Sequence, residues 1–478
     1  MRFCDAGSAT TTLAATGLAV CLISAAPVLA QTAAPTTTAP AAAPATPPAA
    51  APAAEAAAAP PSGLVIDGIK LSAQIDAGFS LNPARPTGNV AYPADGLNFG
   101  QLFTDHANQA QLNQILLTAQ KALDPKDPGY QWGFKVQGMY GSDARYTQFL
   151  GELNNVVPND RYQFDIVEAD VQAHLPWLTA GGIDLKVGQY PTPLGFETID
   201  PSTNPFYSHS YIFQFGLPFK HTGALATTHV NGVLDVYSGI DTGTNTTWGP
   251  LGDNNGAIGG IAGVNLTLLD GNLTALALTH FGPEQATRLL SPPAAFVNGQ
   301  YLFPQTVNAN GQWRYYNDIV VTWKATDKWT LVTELNWVRD GYGQVGKTVN
   351  GYGAAEYASY SLTDTVALNG RAEVWRDDNN YFVAAFPANN SYVKAQQGFV
   401  NGFFTVPAQQ PNGTAYGNTT YGALTFGVSW KPALPAPVSA LLIRPEVRWD
   451  HALTGNNPFN GQRDNNAFTL ACDAVLGF

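Results

Sequence analysis

From Gly63 to the last residue, apolar and polar side chains alternate along the chain. In the segment 166–175, the residues at every second position from Val167 to Leu175 are apolar, whereas those from Glu168 to His174 are polar or charged. Successive side chains of a β-strand point to opposite faces, so this pattern predicts strands with one apolar and one polar face. The predicted strands number sixteen, at 68–80, 111–123, 130–142, 162–175, 182–190, 221–230, 233–242, 257–269, 272–282, 313–325, 328–340, 352–363, 365–376, 419–431, 439–451 and 466–478.

The lengths of these strands and of their connections indicate a membrane barrel. Most strands reach the roughly ten residues that cross a bilayer at a tilt near 45°. The connections alternate strictly between a short and a long set, which is the pattern of outer-membrane barrels with short periplasmic turns and long extracellular loops. The short set is 124–129, 176–181, 231–232, 270–271, 326–327, 363–364 and 432–438, and the long set is 81–110, 143–161, 191–220, 243–256, 283–312, 341–351, 377–418 and 452–465. The predicted fold class is all-β, a transmembrane antiparallel β-barrel of about 16 strands.

Closure of this sheet decides which faces meet water. Lipid cannot hydrogen-bond to free strand edges, so a spanning sheet closes on itself with its apolar residues outside. A barrel of this size holds water inside, where the polar faces would line a pore. The candidate pore-lining residues are Lys135, Glu168, Asp170, Glu334, Arg371, Glu373, Arg444, Glu446, Arg448 and Asp450.

Two features of the strand ends fit the same fold. Tryptophan and tyrosine cluster there, as in the aromatic girdles of outer-membrane barrels: Trp132, Tyr140, Trp323, Trp329, Trp337, Trp375, Trp430 and Trp449. The last strand ends in Phe478 after alternating apolar residues, which resembles the assembly signal of bacterial outer-membrane barrels. We therefore expect the barrel-assembly machinery and outer-membrane lipid to be partners.

The N-terminal region has a different composition. An apolar stretch ending in Val28-Leu29-Ala30 predicts a signal peptide over residues 1–30, with an uncleaved anchor or a lipoprotein as alternatives. Residues 31–62 are rich in alanine and proline and predict an extended periplasmic linker. The barrel would then occupy residues 63–478.

Composition narrows the function classes. Only 12% of the 478 residues are charged and the net charge is −12, so nucleic acid is not an expected partner. Of the three cysteines, only Cys472 lies outside the predicted signal peptide, so no internal disulfide is expected in the mature chain.

The connection 191–220 is unusually aromatic for an exposed loop. Rings in water are unfavourable, and folding into the barrel mouth would bury them, so this segment is a candidate constriction loop. The alternative is a surface loop that packs on its neighbours. Inside the lumen, its acidic residues would face Arg371, Arg444 and Arg448, either as opposed charge ladders that orient solutes or as paired structural charges. The candidate residues of the loop are Glu197, Asp200, Phe206, Tyr207 and Tyr211.

An enzymatic site finds little support. The histidines show no zinc-binding spacing and the chain has no G-x-S-x-G motif; His221 with Ser208 or Asp200 is a weak candidate only. The Asn- and Asp-rich stretches 253–256 and 376–380 lack a full calcium-ligand spacing. We expect no cofactor, no metal and no catalytic residue.

Three stretches resemble the second β-barrel porin family of bacterial outer membranes. They are Trp132–Tyr146, Val187–Gly195 and Pro218–Gly223. The resemblance implies an outer-membrane barrel with a porin-like role and supplies no catalytic residues. The predicted function is passive diffusion of small hydrophilic solutes, with a homotrimer as one possible assembly. A plugged structural or adhesive barrel is the alternative, and an outer-membrane enzyme is a weaker one.

Overall fold

The structure is a computed structural model that describes residues 63–478, apart from 88–95, 154–155, 157–160, 250–251, 254, 286–294, 298–299, 303–308, 343–346, 379–381, 384–417, 435–437 and 439. The predicted signal peptide and linker lie outside the described residues. Among the described residues, no helix is long and apolar enough to cross a bilayer.

Strands make up most of the described chain. Their bounds are β1 Leu64–Ile66, β2 Ile69–Leu81, β3 Gln109–Lys121, β4 Gln131–Gly141, β5 Gln163–Leu175, β6 Ile183–Pro191, β7 Lys220–His229, β8 Leu234–Asp241, β9 Gly259–Leu268, β10 Leu273–Pro283, β11 Ala295–Val297, β12 Gln300–Leu302, β13 Trp313–Lys324, β14 Trp329–Tyr342, β15 Lys347–Thr363, β16 Val366–Asp377, β17 Thr420–Trp430, β18 Ala440–Ala452 and β19 Asn466–Gly477. The helices are single turns: α1 Ala144–Thr147, α2 Phe459–Gln462, a π-turn at Ile212–Gly216, and 3₁₀ turns at Pro201–Thr203, Leu269–Gly271 and Ala309–Gly311.

Strands β2–β10 and β13–β19 form a closed antiparallel barrel of 16 strands. Each pairs with its neighbour in the chain, and the last strand, β19, closes the ring on β2 with Ala474 opposite Ala77. The backbone of Phe478 extends this seam, because its N–H donates to the carbonyl of Ala73 at 2.9 Å. Strand β1 folds back on the start of β2, while β11 and β12 pair only with each other.

The predicted sixteen strands agree in number and order with the barrel strands, and all but one begin within about two residues of their predicted starts. The exception is β15, which begins at Lys347 rather than at 352. Because β14 also extends to Tyr342, the connection between them spans only 343–346. The predicted strict alternation of short and long connections is therefore wrong at this one place.

Two β-bulges change which side chains face inward. In the pairing of β4 with β5, Gln137 lies opposite Glu168 and Gly138 opposite Ile166, so Val167 is an extra residue. A bulge re-aims the side chains around it, and Val167 is buried rather than on the lipid face that simple alternation predicts. A similar bulge in β3 adds Asn113 and turns its side chain inward.

The outer face carries the apolar surface that a bilayer requires. At the short-turn end, the rings of Trp132, Trp323, Trp329 and Trp430 are exposed, and Trp337 and Trp449 are exposed near the loop end. These positions form the two aromatic girdles. The sequence-based assignment of Trp375 to a girdle is wrong: this side chain is completely buried and points into the lumen.

Candidate functional site

The 192–219 segment, which joins β6 to β7, lies inside the barrel. Its two ends are held together by a hydrogen bond from the Thr192 N–H to the Phe219 carbonyl, 2.9 Å long. Directly after it, the buried ammonium of Lys220 lies 2.6 Å from a carboxylate oxygen of Asp165 on β5. Between these ends, the segment contacts the inner faces of strands on the opposite side of the barrel.

The first contact of this lumen loop, as we call residues 192–219, centres on Glu197. Its carboxylate accepts hydrogen bonds from Arg371 on β16 at 2.7 Å and from the Tyr357 hydroxyl on β15 at 3.0 Å. Within the loop, the His209 ring lies 2.7 Å from the same carboxylate. Arg371 and Glu197 are both buried, so a desolvated ion pair connects the loop to the wall.

The middle of the loop follows β18, β19 and β2. Arg444 donates to the carbonyls of Pro201 and Asn204, each at 2.8 Å, while its guanidinium is paired with Asp473. The Glu446 carboxylate accepts the backbone N–H groups of Tyr207 at 2.8 Å and Ser208 at 3.1 Å. These contacts fix the loop backbone rather than one flexible side chain.

Asp200 and Phe206 complete this stretch. Asp200 accepts a hydrogen bond from Gln74 on β2, 2.9 Å long, and does not pair with Arg444 or Arg448. Phe206 is buried beneath the guanidinium of Arg371, whose carbon lies 5.0 Å from the ring centre.

The last part of the loop is held by Tyr211. Its N–H donates to Glu373 at 2.6 Å, and its hydroxyl donates to Asp450 at 2.9 Å. Arg448 lies between these two carboxylates, 3.0 Å from Glu373 and 2.8 Å from Asp450. Arg371, Arg444 and Arg448 are thus paired and buried, so the structure favours structural ion pairs over opposed charge ladders across open water.

Aromatic rings fill the space between the lumen loop and the extracellular connections. Phe103 packs with Phe213 and Phe219, at ring-centre distances of 5.5 and 5.7 Å. His209 stacks on Phe213 at 4.2 Å. The loop rings are buried in this packing, which accounts for the aromatic content of the segment.

A buried ion pair anchors the connection between β2 and β3. The Asp105 carboxylate lies 3.0 Å from the Arg145 guanidinium and accepts a hydrogen bond from Tyr146. Burial alone would raise the pKa of Asp105, but Arg145 and the His106 ring outweigh that effect and hold the pKa well below its usual range. The connection is therefore tied to α1 by a carboxylate that stays charged.

The wall of β3–β10 and β13 is not covered in this way. Between it and the loop residues 192–198 lies a cavity of about 490 Å³. Charged and polar side chains such as Lys135, Glu168 and Thr322 line it together with apolar ones such as Leu225 and Val320. The ammonium groups of Lys135 and Lys186 lie 2.7 and 2.8 Å from the buried Glu168 carboxylate. Both lysines are partly exposed to the cavity, at 26% and 32% of their side-chain surface.

The predicted pore-lining set therefore divides into two groups. Lys135, Glu168 and Asp170 lie together on the inner faces of β4 and β5, on the cavity side. The second group lies on β14, β16 and β18, with Glu334, for example, accepting the Phe196 N–H at 3.0 Å. Its members are buried beneath the lumen loop: Glu334, Arg371, Glu373, Arg444, Glu446, Arg448 and Asp450.

The family model described as "Putative beta-barrel porin-2, OmpL-like" matches residues 68–478, which is the whole barrel. The chain belongs to this family. It is therefore an outer-membrane β-barrel of the porin type. No curated protein sequence matches the chain.

Solved structures of outer-membrane proteins are similar to this porin at low sequence identity. OprB of Pseudomonas putida, in its high-pH structure, has a TM-score of 0.51 and 12% identity, and the match covers 86% of this chain and 94% of that one. OmpF of Salmonella typhi in complex with daunomycin gives 0.48 and 9%, covering 87% and 99%. The outer-membrane channel DcaP of Acinetobacter baumannii gives 0.46 and 10%, covering 87% and 99%.

Sequence reasoning missed several polar residues in the lumen of this porin. Lys186 bridges Glu168 and Asp170, and Asp473 neutralises Arg444. Lys186 and Asp473 each lie at an inward position of the alternating pattern in a predicted strand, so the same periodicity could have found them. The proposed association of His221 with Ser208 or Asp200 is wrong, because His221 contacts Thr192 and Asp241, while Ser208 contacts Glu446 and Arg371.

Proposed function

We propose that this porin lets small hydrophilic solutes diffuse passively through the part of the lumen that the loop leaves uncovered. The observation that carries the proposal is the cavity between loop residues 192–198 and the wall of β3–β10 and β13, into which charged side chains project. A water-filled space with charged side chains lowers the cost of moving a polar solute through a bilayer. The lumen loop narrows this passage and is the proposed constriction.

The charges that solutes would meet are Lys135, Lys186 and Asp184. Glu168 lies beneath the two lysines and is buried, so the ammonium groups present their positive charge to the cavity. Asp184 is 42% exposed and lies against His174 and His229. Mixed charges of this kind favour polar solutes and give only modest ion selectivity.

A non-enzymatic role forms part of the proposal. Catalysis would need a nucleophile, a base and an orienting group within hydrogen-bond reach. The combination that the sequence offered, His221 with Ser208 or Asp200, is not assembled among the described residues. Diffusion down a gradient needs no such site.

A plugged barrel is the second candidate, favoured by the aromatic packing of Phe103, Phe213 and Phe219 on the extracellular side of the loop. Planar-bilayer recording separates the two functions. Stepwise single-channel currents from the purified protein support the proposal. Inserted, folded protein that gives no steps contradicts it and supports the plugged barrel.

Assembly and targeting stay predictions. Phe478 pairs with Ala73 at the barrel seam, which leaves its proposed role in recognition by the assembly machinery to be tested by Phe478→Ser and surface quantification. Cleavage after Ala30 can be read by N-terminal sequencing, and the predicted homotrimer by light scattering in detergent.

A further inference from the structure

Two histidines and an aspartate meet on the inner wall where the lumen loop begins and ends. His221 lies on β7, Asp241 at the end of β8 and His280 on β10. One ligand-type atom from each lies within 4.8 Å of the others, and all three side chains are completely buried. None of these residues contributes to the proposed solute path.

The contacts of Asp241 leave one of its oxygens without a hydrogen bond. Oδ1 accepts the Gly243 N–H at 2.8 Å and lies 3.1 Å from His280 Nε2. Oδ2 lies 3.1 Å from His221 Nδ1, but the two atoms form no hydrogen bond, and neither has another partner among the described residues. A buried carboxylate oxygen and an imidazole nitrogen therefore face each other at ion-pair distance without a hydrogen bond.

The other nitrogen of His221 suits a metal ligand. Nε2 lies 3.0 Å from the Thr192 hydroxyl, which can accept its proton. Ligating histidines usually donate their second N–H in this way, which directs the free lone pair at the ion. In that tautomer, His221 Nδ1 and Asp241 Oδ2 are two acceptors in contact, and a cation between them relieves their repulsion.

Charge also favours a cation. Removing a carboxylate from water costs several kcal/mol unless a positive group compensates it. Among the described residues, the ion partners of Asp241 are the two imidazoles and no lysine or arginine, because the nearby Arg314 is paired with Asp340. The site therefore needs either protonated imidazoles or a bound cation.

The backbone leaves room beside the cluster. A Cβ atom on Gly259 would lie 2.6 Å from Asp241 Oδ1 and 3.0 Å from His280 Nε2. Any larger residue at this position on β9 would collide with both groups. The glycine thus preserves space next to the carboxylate and one imidazole.

We propose that His221, Asp241 and His280 bind one divalent transition-metal ion of the Zn²⁺ type. Two imidazoles and a carboxylate are ligands that Zn²⁺ takes at about 2.0–2.2 Å, which puts tetrahedral ligand atoms about 3.3–3.5 Å apart. The 3.1 Å contacts, one to each oxygen of Asp241, are close to this spacing. One ligand atom from each residue lies within 4.8 Å of the others, so modest side-chain rotations would bring the set to it. The ion joins β7, β8 and β10 at the base of the lumen loop.

The test uses the full-length mature protein, whether or not it conducts. The protein is stripped with chelator while unfolded, refolded in detergent with Zn²⁺ or Co²⁺, and passed through gel filtration. We expect about one Zn²⁺ per chain by mass spectrometry of the metal. We also expect a visible Co²⁺ absorption that Zn²⁺ abolishes, and a higher thermal unfolding temperature with metal.

The variants Asp241→Asn and His280→Gln keep the size of the side chains and are expected to lose the bound metal. The matched control is His229→Gln, because His229 also contacts two carboxylates, Asp184 and Asp235, near the opposite end of β7. Folding of each variant is checked by the change in its gel mobility on heating. The proposal is overturned if the wild-type protein retains no metal, if both site variants retain it, or if the control loses it.

Discussion

At the residue scale, Glu356 is a carboxylate on the lipid-facing side of β15. It is exposed, and it lies midway between the outward rings of Tyr352 and Tyr360. Its one hydrogen bond among the described residues comes from the Thr333 hydroxyl on β14, 2.8 Å away. A charge at this depth of a bilayer is unfavourable, although less so for an acid than for a base.

We predict that Glu356→Gln stabilises the barrel in phospholipid vesicles by about 1 kcal/mol. The glutamine removes the charge and still accepts the Thr333 hydrogen bond. Urea unfolding in vesicles measures the change, and Glu356→Asp serves as a control that keeps the charge. An equal or lower stability of the glutamine variant would mean that lipid does not surround this position.

Asp105 gives a pH-dependent prediction. Because its pKa is held below the usual range in the folded protein, its stabilising effect is present above about pH 4, the unfolded value, and is lost as the pH falls further. Asp105→Asn leaves Arg145 buried without its carboxylate and should cost about 3 kcal/mol at neutral pH. The difference from wild type should shrink below pH 4.

Unfolding free energies measured from pH 7 to pH 3 check the prediction. Asp127→Asn is the control, because Asp127 lies exposed in the turn between β3 and β4. A gap between wild type and the Asp105 variant that stays constant with pH would contradict the role of the charged pair.

Single residues also show where the sequence was a sufficient guide and where it was not. Arg444, Glu446 and Arg448 alternate with Pro445 and Val447, and their inward position followed from that pattern alone. The inward position of Val167 did not follow from the pattern. A bulge changes the face to which a side chain points without changing the composition of the strand. The inward position of Trp375 also followed from alternation, because it shares a face of β16 with Arg371 and Glu373, and its assignment to a girdle overlooked that pattern.

At the element scale, the lumen loop depends on acceptors that the wall provides. Its aromatic content predicted burial, and its acidic residues were expected to face the arginines of the far wall. Glu197 pairs with Arg371 there, but the Gln74 partner of Asp200 could not be predicted, since it depends on how the loop backbone folds. Glu446 is the clearest anchor because it binds two consecutive backbone N–H groups of the loop.

We predict that Glu446→Gln loosens the loop. The amide retains the oxygen that accepts the Tyr207 N–H and lies 3.3 Å from the Ser208 N–H. Its NH2 group replaces the oxygen that accepts the Ser208 N–H at 3.1 Å, at a cost of about 1 kcal/mol. Single-channel recording should show larger current fluctuations in the open state. The control is Glu356→Gln, the same substitution on the outer face, and equal noise in the two variants would contradict the anchoring role.

At the scale of the whole molecule, the barrel divides its lumen unevenly. The loop covers the inner faces of β14–β19, β2 and part of β3, and the cavity remains along β3–β10 and β13. The strands alone, which the sequence predicted well, define only the closed ring. The path for solutes depends on how the loop divides that ring, so selectivity should respond to charges on the cavity side.

Lys186 tests this division. Its ammonium is partly exposed to the cavity, whereas Glu168 beneath it stays paired with Lys135 after substitution. Removing one charge about 8 Å from a passing ion in water changes its energy by about 0.5 kcal/mol. Lys186→Gln should therefore shift the permeability ratio about twofold toward cations, measured as the reversal potential across a salt gradient. Lys126→Gln, in the exposed turn between β3 and β4, makes the same change of net charge away from the lumen and should leave the ratio unchanged. If both substitutions gave the same reversal potential as the wild type, ions would not pass beside β5 and β6, and the proposed path would be wrong.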